Sequence, residues 1–222
     1  MATGWLDSCR VAFQLNAMPA PKHRTQVRAL LWDFGDTLCD ETWMLSPMAD
    51  EPRWAAAYQA TLARGGLIER WDLGAATTAE VANRVAAELG LSIESIAQHM
   101  NACCRNLRLN RETMMLAEVR AAPQAIVTVN CDIFSEVIVP AFDLHRTFSH
   151  IVTSWQEGTV DKAELCEIAR FRLDPSLPRN ACLLIDNRKD NIDAWRAMGG
   201  LVHHYRGEDE LMEAWQTFDF PG

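Results

Sequence analysis

The chain has 222 residues and a formal net charge of −9. This surplus of acidic groups disfavours binding to nucleic acids or anionic membranes, which attract proteins through an excess of lysine and arginine. The seven cysteines contain no CxxC pair, so we expect reduced thiols in a cytosolic protein rather than a disulfide framework or a zinc site. No segment has the length and apolar character of a transmembrane helix.

The first 27 residues show no regular pattern. A short apolar patch at 11–13 is interrupted by Gln14 and Asn16, which makes it too short and too broken for a signal peptide. We therefore interpret residues 1–27 as an N-terminal extension without an assigned role.

Short apolar runs that end in polar residues follow this extension. Such runs are typical of buried parallel strands that end at a binding site, and they occur at 28–32, 125–129, 150–154, 181–186 and 201–205. Helical spacing is found between and after the later runs, at 133–142, 161–173, 190–198 and 208–217, and the second of these segments opens with the capping pattern Asp161-x-x-Glu164. The alternation predicts an α/β fold with a Rossmann-like, doubly wound parallel sheet, whose ligands bind beyond the carboxyl ends of the strands.

Residues 41–115 interrupt this alternation. The stretch contains no plausible strand, and its apolar residues recur at helical spacing, in one case behind the capping pattern Thr77-x-x-Glu80. We predict three or four helices, inserted after the first strand as a cap subdomain. The α/β core then comprises residues 28–40 and 116–222.

Four short motifs lie where predicted strands end or a helix begins. They are Asp33-Phe34-Gly35-Asp36-Thr37, Thr128-Val129-Asn130, Lys162, and Asp186-Asn187 followed by Asp190 and Asn191. Their order, with a helical insertion after the first, resembles the signature of the haloacid dehalogenase (HAD) superfamily. The resemblance extends over residues 28–40 and 118–205, and it implies a HAD-like core with a helical cap.

The resemblance implies a hydrolase with a covalent intermediate on Asp33. A carboxylate can attack phosphorus and divide one hydrolysis into two easier steps, provided that its charge and that of the phosphate are neutralised. Lys162 would hold a positive charge against Asp33 and the phosphate, and the Thr128 hydroxyl would bind a phosphoryl oxygen. Thr128, Asn130 and Lys162 are thus the expected substrate-binding residues, and Asp33, Thr128 and Lys162 the catalytic ones.

The resemblance also implies a Mg²⁺ site built from oxygen atoms. Asp33 would serve as ligand as well as nucleophile, and Gly35 would offer its backbone carbonyl. Asp186 and Asn187 would complete an oxygen shell of the kind that Mg²⁺ prefers, partly through water.

Three positions depart from the pattern of the superfamily. Most of its phosphatases carry a second aspartate two residues after the nucleophile, where this chain has Gly35, and Asp36 should point away from the site. If Asn130 takes the usual asparagine position of the second motif, the hydroxyl position holds Val129. Asn187 replaces a carboxylate with a neutral amide, which weakens Mg²⁺ binding.

Three functions therefore remain open. The first is a Mg²⁺-dependent phosphatase for a small phosphorylated metabolite. The second is a 2-haloacid dehalogenase-like hydrolase that uses the same aspartate without metal, since a halide leaves without a proton and Gly35 is then no loss. The third is a catalytically decayed protein that binds a metabolite or a partner. A phosphonatase type is disfavoured because it needs a cap lysine, and residues 41–115 contain none.

Overall fold

The computed structural model describes residues 25–119 and 121–220. Most of the predicted N-terminal extension thus lies outside the described residues. The described strands are β1 (Thr25–Gln26), β2 (Ala29–Trp32), β3 (Gln124–Thr128), β4 (His150–Thr153), β5 (Cys182–Asp186), β6 (Leu201–His204) and β7 (Phe218–Asp219). Five of them form one parallel sheet in the order β4-β3-β2-β5-β6, and β1 pairs with β7. The predicted α/β fold with a five-stranded parallel sheet is confirmed.

The helices fall into two groups along the chain. Those between β2 and β3 are α1 (Trp54–Ala63), α2 (Leu67–Asp72), α3 (Thr78–Leu89), α4 (Ile93–Arg105) and α5 (Arg111–Glu118), with 3₁₀ turns at Glu41–Leu45 and Arg64–Gly66. Those after β3 are α6 (Val139–Ala141), α7 (Ser154–Glu157), α8 (Lys162–Leu173), α9 (Lys189–Ala197) and α10 (Glu208–Trp215). The proposed division into a core and a cap at residues 40 and 115 stays a prediction.

Side-chain caps account for where two of these helices begin. Thr77 accepts a hydrogen bond from the Glu80 N–H at the start of α3, and Asp161 accepts from the N–H groups of Ala163 and Glu164 at the start of α8. A serine, threonine or aspartate at this position satisfies N–H groups that have no partner within the helix. The capping patterns read from the sequence therefore mark true helix starts.

The helix expected at 133–142 is present but irregular. Its first part is a π-helical turn, Phe134–Ile138, and the short α6 follows with Pro140 near its start. Proline has no N–H to donate, so the regular series of i→i−4 hydrogen bonds is broken at this residue.

Successive side chains of the sheet point to opposite faces, and each face packs against its own helices. Ala29 and Leu31 share one apolar cluster with residues of α8 and α9. Leu30 and Trp32 share the other with residues of the helices between β2 and β3. Because this second cluster is continuous, the helices of residues 41–118 are anchored to the sheet by a common hydrophobic core.

The six cysteines among the described residues are free and buried. No helix in this part of the chain combines the length and apolarity needed to cross a membrane.

Candidate active site

Three neighbouring strands end in polar side chains at one edge of the sheet. Asp33 directly follows β2, Thr128 is the last residue of β3, and Asp186 is the last residue of β5. Because β2 lies between β3 and β5, parallel pairing alone brings these residues together. All three are buried, with exposed fractions of 7%, 2% and 0% respectively.

Lys162 joins two of these carboxylates. It is the first residue of α8, and its Nζ donates to Asp33 Oδ1 at 2.6 Å and to the Val127 carbonyl at 2.7 Å. The same Nζ lies 3.1 Å from Asp186 Oδ2. One buried ammonium group therefore faces two buried carboxylates.

The protonation of this cluster follows from its burial and its charges. Burial raises the pKa of Asp33 to about 6, although the positive charge of Lys162 opposes this rise. Burial alone would lower the pKa of Lys162, but Asp33 and Asp186 outweigh this effect and hold the pKa above its usual value. Lys162 therefore keeps its charge, and Asp33 ionises at a higher pH than an ordinary aspartate does.

Asp186 and Asn187 are positioned by residues of the following loop, α9 and β6. Asp186 Oδ1 accepts the Arg188 N–H at 2.8 Å, and Asn191 Nδ2 lies 3.1 and 3.0 Å from its two oxygens. His204 Nε2 donates to the Asn187 backbone carbonyl at 2.9 Å. The side-chain oxygen of Asn187, in contrast, is buried without a hydrogen-bond partner.

The oxygen atoms of Asp33, Gly35 and Asn187 are of the type that Mg²⁺ binds in proteins. Asp33, Gly35 and Asn187 line one cavity, and a cation would supply the partner that the Asn187 oxygen lacks. Both oxygens of Asp186 are already engaged by protein donors, which suits a role in orienting the site or binding through water. Within residues 25–119 and 121–220, no three His, Cys, Asp or Glu side chains form a metal-binding cluster. A cation would therefore depend on the Gly35 carbonyl and the Asn187 amide beside Asp33.

The second motif lines the same cavity with Thr128, Val129 and Asn130. The Asn130 backbone is held by Ser154, whose Oγ accepts the Asn130 N–H at 2.9 Å and donates to its carbonyl at 3.1 Å. Sequence reasoning did not assign a role to Ser154. Its signal was its place at the end of the predicted strand 150–154, which pairs with the strand that ends at Thr128.

After Asp33, the next carboxylate along the chain that lines the cavity is Glu41, and not Asp36 of the first motif. Asp36 is exposed, and its Oδ1 accepts the Glu41 N–H at 2.9 Å. It does not line the cavity, whereas Glu41 does. A Cβ atom added to Gly35 would lie 3.0 Å from both Cδ and Oε1 of Glu41. The Glu41 carboxyl group thus occupies the space next to Gly35 that a side chain at this position would need.

Glu41 was not predicted as a site residue. Although much of the residue is exposed, burial of its carboxyl end raises the pKa of Glu41, and the negative charge of Asp36 raises it further. Arg188 and Lys162 lower this pKa. Since the charges of Asp36, Arg188 and Lys162 all act on Glu41, its carboxyl group belongs to the same group of interacting charges as Lys162.

The opposite side of the cavity comes from the helices between β2 and β3. The cavity has a volume of about 380 Å³, and its helical side is mostly apolar, with Trp43, Met44, Tyr58, Leu62, Ile68 and Trp71. Gln59 and Asp72 add polar groups. Burial, and then the charge of Glu41, raise the pKa of Asp72 to about 6. A ligand here would meet charged groups at one end and aromatic and aliphatic surfaces at the other.

Solved structures with the same fold support the architecture. No protein-family model and no curated protein matches the chain. A HAD family enzyme from Bacteroides thetaiotaomicron aligns with a TM-score of 0.66 at 14% identity, over 86% of this chain and 98% of that one. A predicted HAD-like family hydrolase from Porphyromonas gingivalis aligns with a TM-score of 0.65 at 14% identity, over 86% and 96%. L-2-haloacid dehalogenase from Xanthobacter autotrophicus aligns with a TM-score of 0.57 at 14% identity, over 80% and 76%.

Two of these proteins were solved with ligands of different chemistry. The Bacteroides enzyme is known in complex with magnesium and inorganic phosphate, and the Xanthobacter dehalogenase with chloropropionic acid covalently bound. At 14% identity these likenesses establish the fold, which is that of HAD family enzymes. The catalytic, substrate-binding and metal-binding roles of the individual residues stay predictions.

Proposed function

We propose that this protein is a Mg²⁺-dependent phosphatase that hydrolyses a small phosphate ester through an aspartyl-phosphate intermediate on Asp33. The buried oxygen of Asn187 carries this proposal, because an unpaired buried polar atom costs stability and a cation beside Asp33 would satisfy it. Phosphoryl transfer benefits directly from such a cation, whereas displacement of a halide from carbon does not require one. The Mg²⁺ and phosphate bound to the Bacteroides enzyme are consistent with this chemistry.

Asp33 and Lys162 would perform the first step together. Lys162 holds one Asp33 oxygen at 2.6 Å, which leaves the other oxygen to attack phosphorus. The fixed charge of Lys162 also offsets the negative charge of the phosphoryl group. Thr128 and Asn130, at the end of β3, would bind phosphoryl oxygens and hold the group in line for the attack.

Asp33, the Gly35 carbonyl and Asn187 would hold Mg²⁺, with Asp186 acting through its hydrogen bonds or a bridging water. When bound, the cation supplies positive charge against the oxygens of the transferring phosphoryl group. Because Asn187 is neutral, the expected affinity is lower than that of a site with a further carboxylate.

The second candidate is a 2-haloacid dehalogenase activity. Gly35 favours it, because a halide departs without a proton and no acidic side chain is needed at this position. The apolar helical side of the cavity would also accept a short carbon chain. In this chemistry Asp33 attacks carbon and Lys162 again holds the carboxylate in place.

A panel of phosphate esters and 2-haloacids, each assayed with Mg²⁺ and with a chelator, tests the proposal. We expect phosphate release from the esters, loss of this activity with the chelator, and no halide release. Turnover of 2-chloropropionate in the presence of the chelator would contradict the phosphatase proposal and support the dehalogenase. If the protein binds inorganic phosphate but turns over neither class of substrate, the third function, a catalytically decayed binding protein, would be the correct one.

The cellular setting is part of the same proposal. A small anionic molecule is the expected partner, rather than nucleic acid or a membrane, because the charge is −9 and the charged cavity is small. The six unpaired cysteines in the described part of the chain suit the reducing cytosol.

A further inference from the structure

Phosphate esters differ in how much help their leaving group needs. A nitrophenolate departs readily as an anion, whereas an alkoxide is strongly basic and requires a proton as the bond to phosphorus breaks. A phosphatase for alkyl esters therefore needs an acidic group that faces the leaving oxygen. Asp33 cannot serve as this acid, because it is the proposed nucleophile.

The loop that begins at Asp33 and ends before Glu41, residues 33–40, is called the nucleophile loop. Among the acidic groups that line the cavity, Glu41 lies next to this loop. Its carboxyl carbon and one oxygen would be 3.0 Å from a Cβ on Gly35, two residues after Asp33. Gly35 has no side chain, so the Glu41 carboxyl can lie against the loop that carries Asp33. Two hydrogen bonds fix its backbone position, since Asp36 accepts the Glu41 N–H and Asp40 accepts the N–H of the next residue, Thr42.

The other ionisable groups of the cavity are placed less well. Lys162 is held by Asp33, Asp186 and the Val127 carbonyl, and Arg188 is paired with Asp190. Asp72 ends α2 and lines the cavity from its helical side. Asp72 therefore remains the competing donor that an experiment must distinguish from Glu41.

We propose that Glu41 is the general acid and base of the phosphatase, brought to the site by the first turn after the nucleophile loop. In the first step an Asp33 oxygen bonds to phosphorus, the bond to the leaving oxygen breaks, and that oxygen takes its electron pair and the Glu41 proton. In the second step Glu41 accepts a proton from a water whose oxygen attacks phosphorus. The bond to Asp33 then breaks, phosphate leaves, and Glu41 is protonated again.

This inference rests on the proposed phosphatase function. It also explains why residue 35 is a glycine, because the side chain of any larger residue would compete with the Glu41 carboxyl for the same space. Asp36, the nearby acidic residue of the first motif, has a positioning role instead.

Two esters of similar size test the role of Glu41. 4-Nitrophenyl phosphate and benzyl phosphate both place an aromatic ring against the apolar side of the cavity, but only benzyl phosphate has an alkoxide leaving group. Glu41→Gln should lower kcat/KM for benzyl phosphate by about 10²- to 10⁴-fold and that for 4-nitrophenyl phosphate by less than about tenfold. Both are measured with Mg²⁺.

Two further variants complete the test. Gly35→Asp combined with Glu41→Ala frees the crowded space and returns a carboxyl group to it, so it should restore much of the benzyl phosphate activity. Asp50→Asn removes a negative charge from an exposed position of the same connecting segment, where asparagine tolerates the φ of +61°, and should leave both activities unchanged.

Each other outcome overturns the proposal in a recognisable way. If Glu41→Gln slows both esters equally or neither, or if Asp72→Asn has the selective effect, Glu41 is not the proton donor. A wild-type protein that cleaves only 4-nitrophenyl phosphate has no general acid, which also excludes Glu41. If the wild type cleaves neither ester with Mg²⁺, the phosphatase function itself fails and the role of Glu41 fails with it.

Discussion

The cavity has two walls that are built in different ways. The core wall includes Asp33, Thr128 and Lys162 at the strand ends and α8, all buried, and Lys162 joins Asp33 to the buried Asp186 at 2.6 and 3.1 Å. The helical wall, residues 41–72, presents mainly apolar side chains and two carboxyl groups with raised pKa values. The paired charges of the core wall suit bond breaking, whereas the apolar side chains of the helical wall suit the choice of substrate. The two walls should therefore respond differently to substitution.

The largest effect is expected from Asp33→Asn in the core wall. The amide has nearly the same shape but little nucleophilicity, so turnover should fall by more than about 10³-fold. Steady-state phosphate or halide release measures this loss for whichever substrate class the protein accepts. Circular dichroism should show an unchanged fold, because Lys162 keeps its partners Asp186 and Val127. Activity within a few-fold of wild type would remove Asp33 from the mechanism.

Lys162→Met should show how far the core wall depends on one charge. The substitution leaves Asp33 and Asp186 buried without their shared counter-charge, and we expect a loss of about 3–5 kcal/mol in the free energy of unfolding. Urea unfolding with a chelator present measures this quantity. The loss should be larger at pH 8 than at pH 5, because burial raises the pKa of Asp33, removal of Lys162 raises it further, and protonation of Asp33 at low pH relieves the repulsion from Asp186.

Lys189→Met is the matched control for Lys162→Met. Lys189 is an exposed lysine whose salt bridge to Asp193 spans one turn of α9. Pairs of this kind contribute less than about 1 kcal/mol, so its replacement should change stability little at either pH. Equal losses from the two lysine variants would contradict the contrast between buried and exposed charge.

Asp72→Asn should have the smallest effect of the three, and of opposite sign. The pKa of Asp72 is about 6 in the folded protein against an ordinary value of 3.8, so its ionisation favours the unfolded chain. The resulting cost grows between pH 4 and pH 6 and is complete above pH 6. The variant should be more stable than wild type by up to about 3 kcal/mol at pH 8, with no difference below pH 4.

Urea unfolding across this pH range, in the absence of substrate, checks the Asp72 prediction. Asp50→Asn serves as the control, because Asp50 is exposed and its replacement should change stability by less than about 0.5 kcal/mol. A destabilised Asp72→Asn variant at pH 8 would mean that the carboxylate makes favourable contacts and that the helical wall depends on charge as much as the core wall does.

The sequence alone determined the elements of the core wall. Each apolar run ends where a strand ends, and the carboxyl ends of parallel strands meet at one edge of the sheet. Asp33, Thr128 and Asp186 could therefore be placed together without coordinates. The cap pattern at Asp161 likewise placed Lys162 at the first position of a helix.

Only the tertiary structure decided how the remaining groups meet. Local periodicity could not show that the Glu41 carboxyl lies against Gly35, that Ser154 holds Asn130, or that the Asn187 oxygen lacks a partner. The π-helical turn within the predicted helix at 133–142 was likewise not visible in the spacing of its apolar residues. Strand and helix periods report which face of an element is buried, whereas contacts between side chains on different elements depend on how those elements pack.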